Sequence, residues 1–286
     1  MSKNTIYILF FVLLPAYISF CQEYPGARQI SMSHSDVALS NDAFAIFNNP
    51  AGLPQMDWRE FAVYYSPAPF GMNELANGYG AYHEPTPFGS FGVGFMTYGY
   101  DLYRENKFAL SYSRNFENKF FAGISVIYQT LHIQNYGNDG SLNFIIGGLA
   151  YLNRDFRIGF SAENLLRSTY GSEPDQIPVV FNAGVSFDAL PEMTINAAVQ
   201  KEIDFPVSLR FGFEYNVIQY LSLRFGFNNQ PNSYSAGIGI NYSLLQLDYA
   251  VFTHQDLGLT HQVGIIVHFS SDELRMTKVK RNLHLE

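Results

Sequence analysis

The chain has 286 residues, 47% of them apolar and only 15% charged, where an ordinary soluble domain carries roughly a quarter charged, and its mean hydropathy of −0.04 is far from that of a helical membrane protein. With 17 basic and 25 acidic side chains the formal charge is −8, which offers nothing to a phosphate backbone and excludes nucleic acid as a partner. A single cysteine, Cys21, excludes an internal disulfide and any cysteine-built zinc site.

In chain order, Lys3, the apolar run 6–17, and then Ser19 and Cys21 before Gln22 predict a secretory signal peptide over 1–21, cut after Cys21. Lipid attachment at Cys21 and an uncleaved anchor are the alternatives. Phe20 stands where lipidation wants a small residue, and the apolar run is short for a membrane-spanning helix of roughly 20 residues. Beyond residue 22 no apolar run is long enough to cross a membrane as a helix, so membrane contact falls to strands.

Residues 22–58 do not alternate. Asp36 is placed to cap a helix over 35–47, with Ala43, Phe44 and Phe47 as its apolar stripe and Pro50 with Gly52 ending it. So much apolar surface ahead of the strands predicts a short helical hatch folded into a lumen, a loose leader being the alternative.

From residue 59 to 269 the chain repeats segments of period-two alternation, rich in Phe, Tyr, Val and Ile and bounded by Asn, Asp, Gly or Pro. Leu209, Phe211, Phe213 and Tyr215 alternate with Ser208, Arg210, Gly212 and Glu214. Leu221, Leu223 and Phe225 alternate with Ser222, Arg224 and Gly226. The face opposite the apolar one is mostly Gly, Ser, Ala and Asn, which suits a crowded barrel interior better than a water-facing surface. The strands fall at 59–67, 76–84, 89–99, 106–115, 119–130, 142–153, 156–163, 178–188, 193–201, 206–215, 220–228, 233–243, 246–254 and 260–269. That makes an all-β protein, a transmembrane antiparallel β-barrel of about fourteen strands. Short even-numbered connections and long odd ones, at 131–141 and 164–177, place both termini on the periplasmic side.

Six charges fall on the inward face: Arg157, Glu163, Arg210, Glu214, Arg224 and Asp248. They are expected to pair with one another or with the hatch, or else to line a conduction pathway. Gly89, Gly92 and Gly94 in the third strand either permit a kink and a lateral opening toward lipid or relieve crowding in the wall.

Gly26-Ala27-Arg28, then the run 35–53 ending in Asn49-Pro50-Ala51-Gly52-Leu53, then a train of amphipathic strands, resembles the PorV/PorQ family of outer-membrane proteins, itself similar to the FadL-type transporters. The resemblance covers about 26–269, and its most specific element is Asn49 to Leu53 following Asp42-Ala43. It implies a monomeric barrel in the outer membrane of a Gram-negative-type bacterium, surrounded by outer-membrane lipid. The implied function is binding or transport of a small hydrophobic compound, with Phe44, Phe47, Asn49, Pro50, Ala51, Gly52 and Leu53 as hatch and gating residues. The alternative is an accessory barrel of a type IX-like protein secretion system that binds cargo or machinery proteins.

No GxSxG, HExxH, P-loop or Rossmann glycine pattern is present, so no catalytic residue, metal ligand or cofactor is assigned and the chain is read as non-enzymatic. His254 and His261 flank one outer loop, as polar loop residues or as an opportunistic cation pair. After Phe269, residues 270–286 carry Arg275, Lys278, Lys280 and Arg281 and read as a basic, solvated periplasmic tail, with docking to a periplasmic partner as the sharper alternative.

Overall fold

Strict alternation puts every second side chain on the same face of an extended strand. Leu209, Phe211 and Tyr215 accordingly point outward, at 41%, 50% and 37% exposure, while Ser208 and Glu214 are buried. Fourteen such strands make the wall: β1 (Glu60–Ser66), β2 (Asn77–Thr86), β3 (Gly89–Tyr100), β4 (Tyr103–Phe116), β5 (Phe120–Ile133), β6 (Gly137–Tyr151), β7 (Phe156–Glu163), β8 (Val180–Leu190), β9 (Met193–Glu202), β10 (Ser208–Ile218), β11 (Leu221–Asn229), β12 (Asn232–Tyr242), β13 (Leu245–His254) and β14 (Gly258–His268). The computed structural model describes residues 24–170, 177–254, 257–270 and 273–285; the signal peptide expected over 1–21 lies outside the described residues.

Each strand pairs antiparallel with its sequence neighbours, and β1 pairs with β14 from Glu60↔His268 to Tyr65↔Val263, so the sheet closes without an edge. The outer surface is apolar all round the barrel: Phe61, Phe95, Phe108, Phe160, Leu223 and Ile265 are exposed, a band that only lipid would cover without cost. Among the described residues no helix is long and apolar enough to cross a membrane.

The even-numbered connections are tight, as at 87–88, 191–192 and 243–244, and β1 begins and β14 ends at that same mouth, here the terminal mouth. The long loop expected at 131–141 is corrected. β5 and β6 continue to an Ile133↔Gly137 pair and leave only 134–136 as the turn. His132, Asn138 and Asp139 broke the apolar alternation, yet their backbones still gain ladder hydrogen bonds, and the hairpin projects beyond the apolar band with Tyr136 89% exposed.

The helix expected over 35–47 is also corrected. The hatch instead holds α1 (Ala27–Ser31), a turn in which the Leu39 and Ser40 amides donate to the Asp36 carbonyl, and two 3-10 turns, Ala43–Ile46 and Pro50–Gln55. Asp42, not Asp36, is the cap, its side chain accepting from the Phe44 amide. Walled in on all sides, this segment has no solvent face and so needs no single apolar stripe. Its polar residues turn inward onto each other instead, Asn41 and Asp42 accepting from Arg28 and Gln29.

Among its described residues the tail is only partly solvated, Glu273, Thr277, Arg281 and His284 staying exposed. It forms α2 (Arg275–Asn282), which folds back into the terminal mouth with Val279 and Leu283 fully buried. Its cationic stems lie over Trp58, with Lys278 Nζ 5.0 Å from the ring centroid.

Candidate functional site

The lumen is filled from within, and wall glycines mark where the hatch touches. A Cβ on Gly159 would sit 2.6 Å from the Val37 carbonyl oxygen, one on Gly123 2.6 Å from the Pro50 carbonyl carbon, and one on Gly226 2.5 Å from the Met32 carbonyl carbon. Such distances leave no room for any side chain, so inward glycines let hatch backbone lie directly on the sheet.

All seven expected hatch residues are buried in this contact. Phe44 and Phe47 belong to the apolar core, Phe47 meeting Tyr79 edge-on at 5.2 Å between ring centroids. Asn49 holds the turn together. Its amide donates to the Val37 carbonyl at 2.8 Å and the Gly148 carbonyl at 3.2 Å, and its side-chain oxygen accepts from the Ala51 amide at 3.2 Å. Pro50 then opens the second 3-10 turn, where a missing N–H costs nothing. Gly52 permits the closest approach in the hatch, since a Cβ there would lie 1.6 Å from the Ser40 carbonyl oxygen. Ala51 and Leu53 bury their side chains completely.

Of the six inward charges, three come together around a hatch residue that sequence reading did not select. Arg28 donates to Glu214 through Nε and Nη2 at 2.8 and 2.9 Å, Arg224 donates to the same carboxylate at 2.6 Å, and Arg224 reaches Asp248 at 2.7 Å. Burial works against the Arg28 charge, and the Glu214 carboxylate more than offsets it, leaving the guanidinium above its ordinary range. The other three stand apart. Arg157 forks onto Asp188 at 2.9 and 3.0 Å rather than pairing with Glu163. Glu163 accepts from the Tyr24 hydroxyl at 3.1 Å, and Arg210 donates to Gln200 and Ser208. Asp188 could have been found: it continues the inward phase of β8 two residues after Ser186. Glu60 could have been found the same way, since it shares the inward phase of β1 with Ala62, Tyr64 and Ser66, whereas Arg28 carried no such periodic signal.

Of the two roles open to Gly89, Gly92 and Gly94, relief of crowding fits the strand register. β3 pairs in unbroken register with β2 from Asn77↔Tyr98 to Thr86↔Gly89, and with β4 from Ser90↔Ser113 to Tyr100↔Tyr103. Gly92 and Gly94 face inward, where a Cβ would come within 2.7 Å of Ile46 and 2.5 Å of Phe47, while Gly89 lies at the terminal-mouth turn with φ +140°. Gly92 and Gly94 admit the hatch, and Gly89 lies against Tyr112 and Ser113 of β4. His254 and His261 also point apart. The His254 ring packs on Phe70 at 5.4 Å, and His261 shares a 2.6 Å hydrogen bond with the Tyr249 hydroxyl.

Hatch, α2 and wall leave little space at the terminal mouth. The cavity between Arg28, Glu214, Arg224 and α2 holds about 30 Å³, the room of one water, and its walls are polar.

This plugged fourteen-stranded barrel is similar in fold to the solved structures of a FadL homologue and of a toluene transporter. A Pseudomonas aeruginosa FadL homologue superposes with a TM-score of 0.59 at 13% identity, over 85% of this chain and 97% of that one. The Pseudomonas putida toluene transporter TodX gives 0.60 at 10%, over 86% and 97%. A deltaS2 mutant of the TodX monoaromatic hydrocarbon channel gives 0.65 at 10%, over 87% and 99%. At these identities the likeness is one of fold. Neither a protein-family model nor a curated protein sequence matches the chain.

Proposed function

We propose that the chain is an outer-membrane barrel of FadL type that binds a small hydrophobic compound and passes it across the outer membrane, both termini lying in the periplasm. The observation that carries this reading is a closed apolar-skinned barrel with an N-terminal hatch seated on its inner wall, in a chain whose fold is similar to those of the FadL homologue and TodX. Because β3 is closed and the terminal mouth is filled, passage requires the hatch to move. The inward charges then fasten the hatch to the wall rather than line a path, since Glu214 and Asp248 are already occupied by Arg28 and Arg224. The role so read is non-enzymatic, in keeping with the channel and transporter structures that the fold resembles.

The filled lumen is the one observation that favours a second reading, a PorV/PorQ-like accessory barrel that conducts nothing and presents its loops to cargo or secretion-machine proteins. Cells with an intact outer membrane but no hydrophobic-compound transporter of their own separate the two. Expression of this chain should raise the initial uptake of radiolabelled toluene or of a long-chain fatty acid severalfold. Uptake of both probes at the level of cells carrying an empty vector would overturn the transport reading.

A further inference from the structure

Seven steps round a ring of fourteen strands lead to the far side, so β1 and β8 face each other across the lumen. α2 reaches from one to the other. At its start Arg275 donates to Glu60 of β1 at 2.7 Å, and towards its end Lys280 contacts Asp188 of β8 at 2.9 Å and Asp155 in the β7 turn at 2.7 Å. An eight-residue helix is about 12 Å long, and extended cationic side chains at both ends supply the remaining reach.

The same helix holds the hatch at two places. Arg275 Nη1 also donates to the Asn41 carbonyl at 2.8 Å, and the Asn282 amide donates to the Gln55 carbonyl at 2.9 Å. One contact falls on each leg of the hatch, before and after the Asn49 turn. Val279, fully buried, fills the space between.

We infer that α2 is a bolt across the terminal mouth: the hatch cannot leave the lumen through that mouth until α2 has withdrawn. The inference rests on the reading that passage requires the hatch to move, but it concerns the order of two motions and does not depend on which compound passes. Its fastenings are chiefly lysine or arginine on carboxylate, so it is releasable by charge removal at positions outside the Arg28 cluster.

Hydrogen–deuterium exchange on the full-length protein in detergent tests this without reading transport. In the intact protein the amides of 27–55 should be at least as protected as those of α2; hatch amides that open while α2 amides stay protected would overturn the bolt. In R275A/K280A and in a chain lacking 270–286, hatch exchange should rise at least tenfold while β9 to β12 keep their protection. Unchanged hatch protection with α2 freed or removed would overturn it as well. Should a variant fail to insert, the comparison within the intact protein still decides. A chain that shows hatch release but takes up no probe keeps the bolt and loses the transport reading, whereas uptake without α2-dependent release does the reverse.

Discussion

Arg28 in the hatch and Glu214 in β10 form a two-pronged ion pair, 2.8 and 2.9 Å long and buried, between residues 186 apart in sequence. A guanidinium and a carboxylate share this planar geometry, and with Arg224 donating to Oε2 of the same carboxylate the hatch is joined to two adjacent strands through one group. Removing one member of such a pair strands a buried charge, at a cost of roughly 3–5 kcal/mol. Glu214 keeps Arg224 when Arg28 is removed, so Arg28→Ala should loosen the hatch by less than that, by about 1.5–3 kcal/mol for its lost charge-assisted hydrogen bonds. Arg28→Lys, which keeps the charge but not the fork, should fall between. Trp58 is the single tryptophan and is buried beneath α2, so the urea midpoint of its fluorescence change reports the loss.

The wall glycines make a second prediction with an internal control. A methyl group at Gly159 or Gly52 meets backbone carbonyl oxygen, whereas one at Gly80 meets nothing within 4 Å. Gly159→Ala and Gly52→Ala should each destabilise hatch docking by at least ~1–3 kcal/mol, the usual cost of overpacking, and Gly80→Ala should leave it unchanged. Limited proteolysis of the 27–56 segment distinguishes the three.

Asn49 supplies one acceptor and two donated bonds to the hatch turn. Asn49→Asp preserves the shape and the acceptor but leaves the Val37 and Gly148 carbonyls without their donor and adds a buried charge. It should be worse than Asn49→Ala in the same urea titration, by a margin of roughly 1–3 kcal/mol.

Hatch stability should also depend on pH through Asp36 and His34, in opposite senses. Burial, helped by the Asp42 charge, pushes the Asp36 carboxyl up from 3.8 to about 6. A folded value above the unfolded one means this stabilising contribution is complete below pH 3.8 and lost as pH rises through about 6. Burial, with Arg210 nearby, lowers His34 from 6.5 to about 3, so its contribution is complete above pH 6.5 and lost as pH falls toward 3. Asp36→Asn should remove the first effect and leave the second, so that on acidification the variant gains less hatch stability, or loses more, than the parent. The urea midpoint of Trp58 fluorescence, measured from pH 7 to pH 4 in both proteins, checks the difference.

The wall was legible because period-two alternation is a local signal: Leu223 and Phe225 against Ser222 and Arg224 show both faces of β11 within a few residues. The glycine-rich lumen face also announced that something fills it. What fills it was harder to read. The hatch uses 3-10 turns and polar caps in an enclosed space, where no solvent face imposes a period, so the expected helix over 35–47 is broken at Asn41 and Asp42. The charge partners were missed because inward phase says which residues share the lumen, not which are adjacent across it: Arg157 reaches Asp188, not Glu163. Gly92 and Gly94 carry the same local signal whether a wall opens or a plug leans on it, and only the positions of Ile46 and Phe47 decide. The tail looked like a solvated basic segment because the carboxylates that receive it, Glu60 and Asp188, lie far away in sequence.

Planar-bilayer conductance tests most directly the central claim that segments folded into the barrel control passage through it. The intact chain should insert without steady ion conductance, and a chain lacking 24–58 and 270–286 should conduct continuously. Steady conductance from the intact chain equal to that of the emptied barrel, or none from the emptied barrel once inserted, would contradict the account.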